Sequence, residues 1–167
     1  MNISENTPII GDTHFSHNNI IEYTNRPFKN YEEMNNVMVH NWNQEVLAGE
    51  DVLHVGDFSF GTKRIIKEVR ERLNGKIIYL IKGNHDGRSR GFFKSIGIII
   101  IDPFRWKNII FSHRPIRIWY LKQINLINIH GHIHYRDSPF KNQINVSVER
   151  LNYRPVRLGK ILKDHGY

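Results

Sequence analysis

The chain has 167 residues, 40% of them hydrophobic, with a formal charge of +8 at neutral pH and no cysteine. That length and apolar content fit one folded domain spanning residues 1–167, and they exclude a disordered chain. Without sulfur there is neither a disulfide scaffold nor a thiolate zinc site, so any metal must sit on His, Asp, Glu or Asn; the positive balance fits an anionic partner and a merely basic surface equally well.

In chain order, the start "MNISENTPII" lacks a basic n-region and a long apolar h-region, which predicts no signal peptide. No window reaches ~18 uninterrupted apolar residues, so the expectation is a cytoplasmic protein with no membrane span. "TPIIGD" is a short apolar run with Pro8 inside it, ending at Asp12. "YEEMNNVMVHNWNQEVLAG" predicts an amphipathic helix, with Met34, Met38, Trp42 and Val46 four apart. "DVLHVGD" reads as a strand ending at Asp57. "TKRIIKEVRERLNG" is a second helix with Ile65, Ile66, Val69 and Leu73 on one face and Asn74-Gly75 as its stop. "KIIYLIKGNHD" is a buried strand running into a polar turn. "GIIII", "NIIFSH", "LINIHGHIH" and "NQINVSVERL" follow as strands, and "RPVRLGKILKDHG" closes as a strand or short helix. This β-α-β-α order predicts an α/β fold with a largely parallel central sheet. The strand-on-strand run from about residue 97 to 150 predicts a second, more mixed sheet.

Metal-competent residues recur where the strands end: Asp12 and His14, then Asp57, then Asn84, His85 and Asp86, then His113, then His132 and His134. In open α/β sheets the crevice beyond the carboxyl ends of the strands is where ligands bind, so parallel strands would bring these turns to one edge. Asp12 and His14 are two apart, as are His132 and His134; in extended backbone each pair would point one way. The donors mix carboxylate, imidazole and carboxamide, a set that suits Mn, Fe, Zn, Ni or Co. Seven such side chains exceed the needs of one catalytic ion, whereas two ions sharing a carboxylate would use them all.

"GDTHFSH", "GDFSFG", "GNHD", "FSHRP" and "HGHIH", in that order, resemble the five signature motifs of the calcineurin-like metallophosphoesterase superfamily. The finer resemblance is to its small single-domain bacterial and phage members, in which "DTHFSHNNII", an "NRPF" stretch and "NVSVERLNYRPV" are also typical. It covers nearly the whole chain. It implies a sandwich of two β-sheets flanked by helices, in α-β-β-α layers. It also implies two divalent metal ions per chain, manganese first among the candidates. Asp12, His14 and His134 would bind one ion, Asn84, His113 and His132 the other, and Asp57 both. His85 would contact the scissile phosphate and protonate the leaving oxygen, with a metal-bridging hydroxide as nucleophile. The implied activity is hydrolysis of phosphate esters, with diesters of nucleotide or nucleic-acid origin preferred. Phosphomonoester hydrolysis is the alternative, and a non-catalytic interaction scaffold on the same fold is a second; retention of Asp57, Asn84 and His85 argues against the scaffold.

Other residues carry plainer expectations. His130 supports its turn without binding metal. Asp86 either orients His85 or caps the following helix. His17 and Asn18 either reach substrate or cap the helix "NNIIEYT". His40, His54 and His165 are structural and Trp42 is core, as are Trp106, Trp119 and Tyr120 at the core or rim. Lys63, Arg64, Lys67, Arg70 and Arg72 form a solvated helix face. Arg88, Arg90, Arg114 and Arg136 follow the catalytic turns and are the candidates for holding substrate phosphates, which gives affinity without sequence readout.

Overall fold

Proline opens the first strand. β1 (Pro8–Ile10) places Pro8 where a missing N–H disturbs a ladder least, and Gly11 prolongs it by an isolated parallel bridge to Ser147. The computed structural model describes residues 1–117 and 126–167; Trp119 and Tyr120 lie outside the described residues. On one side of β1 come β2 (Asp51–His54), β3 (Ile77–Ile81) and β4 (Ile98–Ile101), all parallel, with Ile9 opposite Leu53, Leu53 opposite Tyr79 and Tyr79 opposite Ile99. On the other side β9 (Val156–Arg157) pairs antiparallel. The resulting order is β4-β3-β2-β1-β9.

A second sheet contains β5 (Phe104–Trp106), β6 (Ile109–Ser112), β7 (Ile127–His130) and β8 (Gln143–Asn145), in that spatial order. β5 and β6 are antiparallel and the other pairs parallel. It is mixed, as the sequence predicts, but it starts at Phe104 and not near residue 97. "IIII" is a buried strand whose partner its composition does not specify, and it pairs with β3.

Alternation along the strands builds two cores. Ile10, Val52, Ile78, Leu80 and Ile98 face α1 (Asn18–Tyr23), α2 (Tyr31–Glu45), α3 (Lys63–Arg72) and α4 (Arg90–Ser95). Ile9, Leu53 and Ile81 face the second sheet, meeting Phe111, Ile127, Ile129 and Ile144, with Leu158 and Ile161 of α5 (Leu158–Asp164) joining them. The result is two sheets flanked by helices, the layered α/β architecture expected.

The helices follow their predicted stripes. Met34, Met38, Trp42 and Val46 are all buried, and the Trp42 indole donates to the Asn74 carbonyl (2.9 Å). Asn30 and Thr62 cap α2 and α3 by accepting from Glu33 and Ile65 N–H groups. One predicted surface residue is not there. Arg70 is buried, and its guanidinium donates to the carbonyls of Leu73 and Gly75 (2.9 and 2.8 Å), closing the C-terminal end of α3 where a cation is favoured. Among the described residues no helix is long and apolar enough to cross a membrane.

Candidate metal centre

The carboxyl ends of β1, β2 and β3 in one sheet and of β6 and β7 in the other meet at a single edge. Backbone bonds lock their turns together: Asp12 N to Gly56 O, His14 N to Asp57 O, and Gly131 N to His113 O, all 2.9–3.0 Å. The turns are not extended, as the two-residue spacing led one to expect. Asp12, His14, Asp57, His132 and His134 have positive φ (54°, 47°, 55°, 71° and 53°). Left-handed backbone costs a non-glycine residue roughly 1–2 kcal/mol, and such strain gathers at functional sites. It aims Asp12 and His14 at one locus but sends His132 and His134 to different ones.

Two groups result, Asp12 with His14 and His134, and Asp57 with His113 and His132; within each, one donor atom per residue lies within 4.8 Å of the others. Asp57 stands between them, its Oδ2 3.5 Å from His14 Nε2 and 3.4 Å from His113 Nε2. Asn84 Oδ1 is 3.1 Å from His113 Nε2. His85 is exposed, its amide donates to Asp57 Oδ1 (2.8 Å), and its ring lies 5.1 Å from that of His14.

The donor set fits divalent cations. His14 Nε2 is buried without a hydrogen-bond partner. His113 Nδ1 meets the Val55 carbonyl (2.9 Å), which can only accept, so Nδ1 carries the proton and Nε2 turns its other valence to the oxygens of Asp57 and Asn84. A proton or a cation satisfies that nitrogen. Glycines make room: a Cβ on Gly131 would lie 2.1 Å from Asp12 Oδ2, one on Gly83 2.2 Å from Asp57 Oδ1, and one on Gly56 2.2 Å from His113 Nδ1.

Electrostatics follow from this crowding. Burial pushes Asp12 up to about 6 even though His113 and His134 oppose it. Burial also works against charge on Asp57, but contact with His113 and His14 holds it well below the usual carboxylate range. Burial lowers His14 to about 4, so its imidazole is neutral at pH 7. His113 is pulled down by burial and up by Asp57 and Asp12, and the acids win.

Several supporting residues carry no signal of their own in the sequence. Arg26 and Glu149 form an ion pair with side chains 0% and 5% exposed (2.7 Å). Arg26 also donates to the carbonyls of Asp12 and Thr13 (2.8 Å each), fixing the first turn. Glu149 Oε1 faces His134 Nδ1 at 3.1 Å; an acceptor there puts the proton on Nδ1 and leaves Nε2 for the centre, as carboxylate partners of metal-binding imidazoles do. Arg26 lies in "NRPF" and Glu149 in "NVSVERLNYRPV", so their segments stand out, but their pairing does not. His54 is structural, as expected. Thr13 Oγ1 donates to Phe58 O (2.6 Å) and so accepts from His54 Nε2 (2.9 Å), while His54 Nδ1 accepts from Gly56 N (3.3 Å).

Other expectations need correction. Asp86 neither orients the His85 ring nor caps α4. Its buried carboxylate accepts from the N–H groups of Asp57, Phe58 and Gly83 (2.8, 3.0 and 2.8 Å), and Ser89 caps α4. His17 makes no side-chain cap. It stacks on Phe60 at 4.4 Å between ring centres and lies 3.4 Å from His14. Asn18 instead accepts from Tyr31 N (3.2 Å). His130 is fully buried, bonded to Gly131 O and Ser138 Oγ (2.8 and 3.0 Å), and supports its turn.

Two concavities flank His85. One, about 410 Å³, is lined by His14, His17, Tyr23, His134, Tyr135 and Arg136 among others. The other, about 360 Å³, is lined by Phe60, Ile65, Phe93 and Arg88. Arg114 is exposed and acts on His132, whose pKa is lowered first by burial, then by His113 and Arg114. Arg90 is turned away, bonded to Ile100 O and Asp102 (3.0 and 3.2 Å).

Two Asp/His groups sharing one edge of a two-sheet α/β sandwich form a candidate metal centre. The chain belongs to the calcineurin-like phosphoesterase family, whose model matches residues 9–165. Family and geometry together support a dinuclear divalent-metal site. An uncharacterised protein of Methanocaldococcus jannaschii is 39% identical over 164 residues, 93% of this chain and 88% of that one. Among solved structures, a protein of unknown function from Aquifex aeolicus aligns with a TM-score of 0.73 at 25% identity, covering 94% of this chain and 97% of the other. A nuclease of Pseudomonas putida, at 20% identity and a TM-score of 0.51, covers 75% of this chain and 60% of its own; that likeness is one of fold.

Proposed function

We propose that the protein is a dinuclear phosphodiesterase acting on esters of nucleotide or nucleic-acid origin. The observation that carries this is the position of Asp57, whose Oδ2 lies 3.5 and 3.4 Å from imidazole nitrogens of the two groups. In this reading Asp12, His14 and His134 hold one ion, Asn84, His113 and His132 the other, and Asp57 both. Two divalent cations, when bound, supply positive charge for the phosphoryl oxygens and acidify water to the hydroxide that attacks phosphorus. Manganese is the first candidate, with Fe, Zn, Ni or Co also suited to these donors.

The chain's own groups do the rest. A water oxygen bonds to phosphorus, the bond to the leaving oxygen breaks, and His85 delivers a proton to that oxygen. The proton that water releases on becoming hydroxide restores His85 by way of solvent, and the other water proton stays with the product phosphate. His85 stands exposed where both concavities meet, which fits an ester with an organic arm on each side better than a monoester with one. Arg88, Arg136 and His17 line these concavities, and in this reading they and the exposed Arg114 hold the substrate's anionic oxygens.

The test is Mn²⁺-loaded protein offered a generic diester and a generic monoester. Turnover of the diester at the higher kcat/KM is expected, and Asp57→Ala should lose both the activity and the paired metal. Full activity in that variant would sink the assignment.

A further inference from the structure

Exposed aromatic residues gather at this centre. Tyr23, Phe60 and Tyr135 are 67%, 47% and 51% exposed, and each lines one of the two concavities that meet at His85. Large apolar side chains left in water next to a polar site mark a surface that something covers. The Phe60 ring is held in place by its near-parallel stack on His17, tilted only 19°, so its plane is set before any ligand arrives. Tyr23 braces the same imidazole edge-on. Each concavity also carries one arginine: Arg88 beside Phe60 and Arg136 beside Tyr135. An aromatic platform paired with a cation is the recurring unit that binds single-stranded nucleic acid, the ring stacking a base and the cation meeting a phosphate.

Resting on the phosphodiesterase reading above, we infer that the substrate is an internal phosphodiester of a single strand, with the nucleobase on one side stacked on Phe60 and that on the other side stacked on Tyr135. Arg88 and Arg136 then meet the flanking phosphates. Bases in a duplex are already stacked and paired, so reaching platforms in two separate concavities that share His85 requires them to be splayed apart, which single strands allow. Both concavities fall within the ~300–1,000 Å³ typical of small-ligand sites. A cyclic mononucleotide or a terminal monoester would fill one and leave the other empty. The reaction consumes one water and yields one strand with a free hydroxyl and one with a terminal phosphate.

The probe is a short single-stranded oligonucleotide carrying 2-aminopurine on each side of a hydrolysis-resistant linkage, titrated into Mn²⁺-loaded protein and read by fluorescence quenching. An abasic strand of equal charge and the matching duplex serve as competitors. The single strand should bind at least about tenfold more tightly than either competitor. Phe60→Ala and Tyr135→Ala should each weaken it by about 5- to 150-fold, the range for loss of one stacked base, with thermal midpoint and affinity for the abasic strand unchanged. Equal affinity for base-bearing and abasic strands would overturn the inference, as would equal affinity for duplex. If the protein cleaves generic diesters yet binds both strands alike, this inference fails and the phosphodiesterase reading stands. If it binds the base-bearing strand selectively but cleaves no diester, the platforms are supported and the phosphodiesterase reading fails.

Discussion

Glu149 shows how much a single side chain outside the metal-facing set can carry. Its Oε1 serves both Arg26 and His134, and its pKa falls to about 2 because these contacts outweigh burial. Glu149→Gln keeps an acceptor for His134 but leaves the Arg26 charge buried and unpaired. Breaking such a pair costs about 3–5 kcal/mol, and losing the partner of a metal-bound imidazole weakens metal affinity roughly 10- to 100-fold. Chemical denaturation and calorimetric Mn²⁺ titration should both register the change. Asp12 gives a pH signature. With its pKa near 6 against 3.8 unfolded, the folded metal-free chain holds a proton that the unfolded chain has released. Stability from this group therefore declines as pH rises from 3.8 to 6, and an entering cation must displace the proton below that upper value. Through this group Mn²⁺ affinity should fall by up to about tenfold per pH unit below 6, as titrations at pH 7 and pH 5 would show. Asp12, His14, Asp57, His113, His132 and His134 were legible as candidates because each ends an apolar run. Arg26 and Glu149 were not, because an ion pair 123 positions apart leaves no local pattern.

At the scale of elements, the centre is made by turns. The sequence shows where the turns fall, since after β1, β2, β3 and β7 an apolar run meets a glycine and a polar residue follows, and after β6 Ser112 leads directly into His113. It does not show the turn's handedness. The expectation of extended backbone after β1 and β7 failed because Asp12, His14, His132 and His134 adopt left-handed conformations, which Asp and His tolerate better than most residues. β5 escaped notice for another reason: three residues are too few to display a period. Gly131 tests the turn after β7. Its φ is not among the positive ones, so alanine suits the backbone there, but the methyl would collide with Asp12 Oδ2 and displace that carboxylate. Gly131→Ala should keep its circular dichroism spectrum and lose about tenfold or more in affinity for one of two Mn²⁺ ions.

For the whole molecule, the centre is a seam. Asp12, Asp57 and Asn84 come from the five-stranded sheet, and His113, His132 and His134 follow strands of the other. Cations held across that seam favour the folded state alone. At a hundredfold excess over Kd, one bound ion stabilises by about 2.7 kcal/mol, which for a chain of this size raises the thermal midpoint by about 5–10 °C. Scanning calorimetry with Mn²⁺ and then with chelator should show that shift and its reversal, in one transition if residues 1–167 form a single cooperative domain. The seam also has a history within each molecule. β1 is made before β2, β3 and β4 of its sheet, yet its neighbour β9, its bridge partner Ser147 and the carboxylate that neutralises Arg26 all come far later in the chain. At about 5–20 residues per second, roughly 6–25 s separate the synthesis of Arg26 from that of Glu149, 123 residues later. Through that interval the growing chain carries Asp12 and His14 without the carboxylate that pairs with Arg26 beneath their turn, so the turn is fully set only once Glu149 has been made.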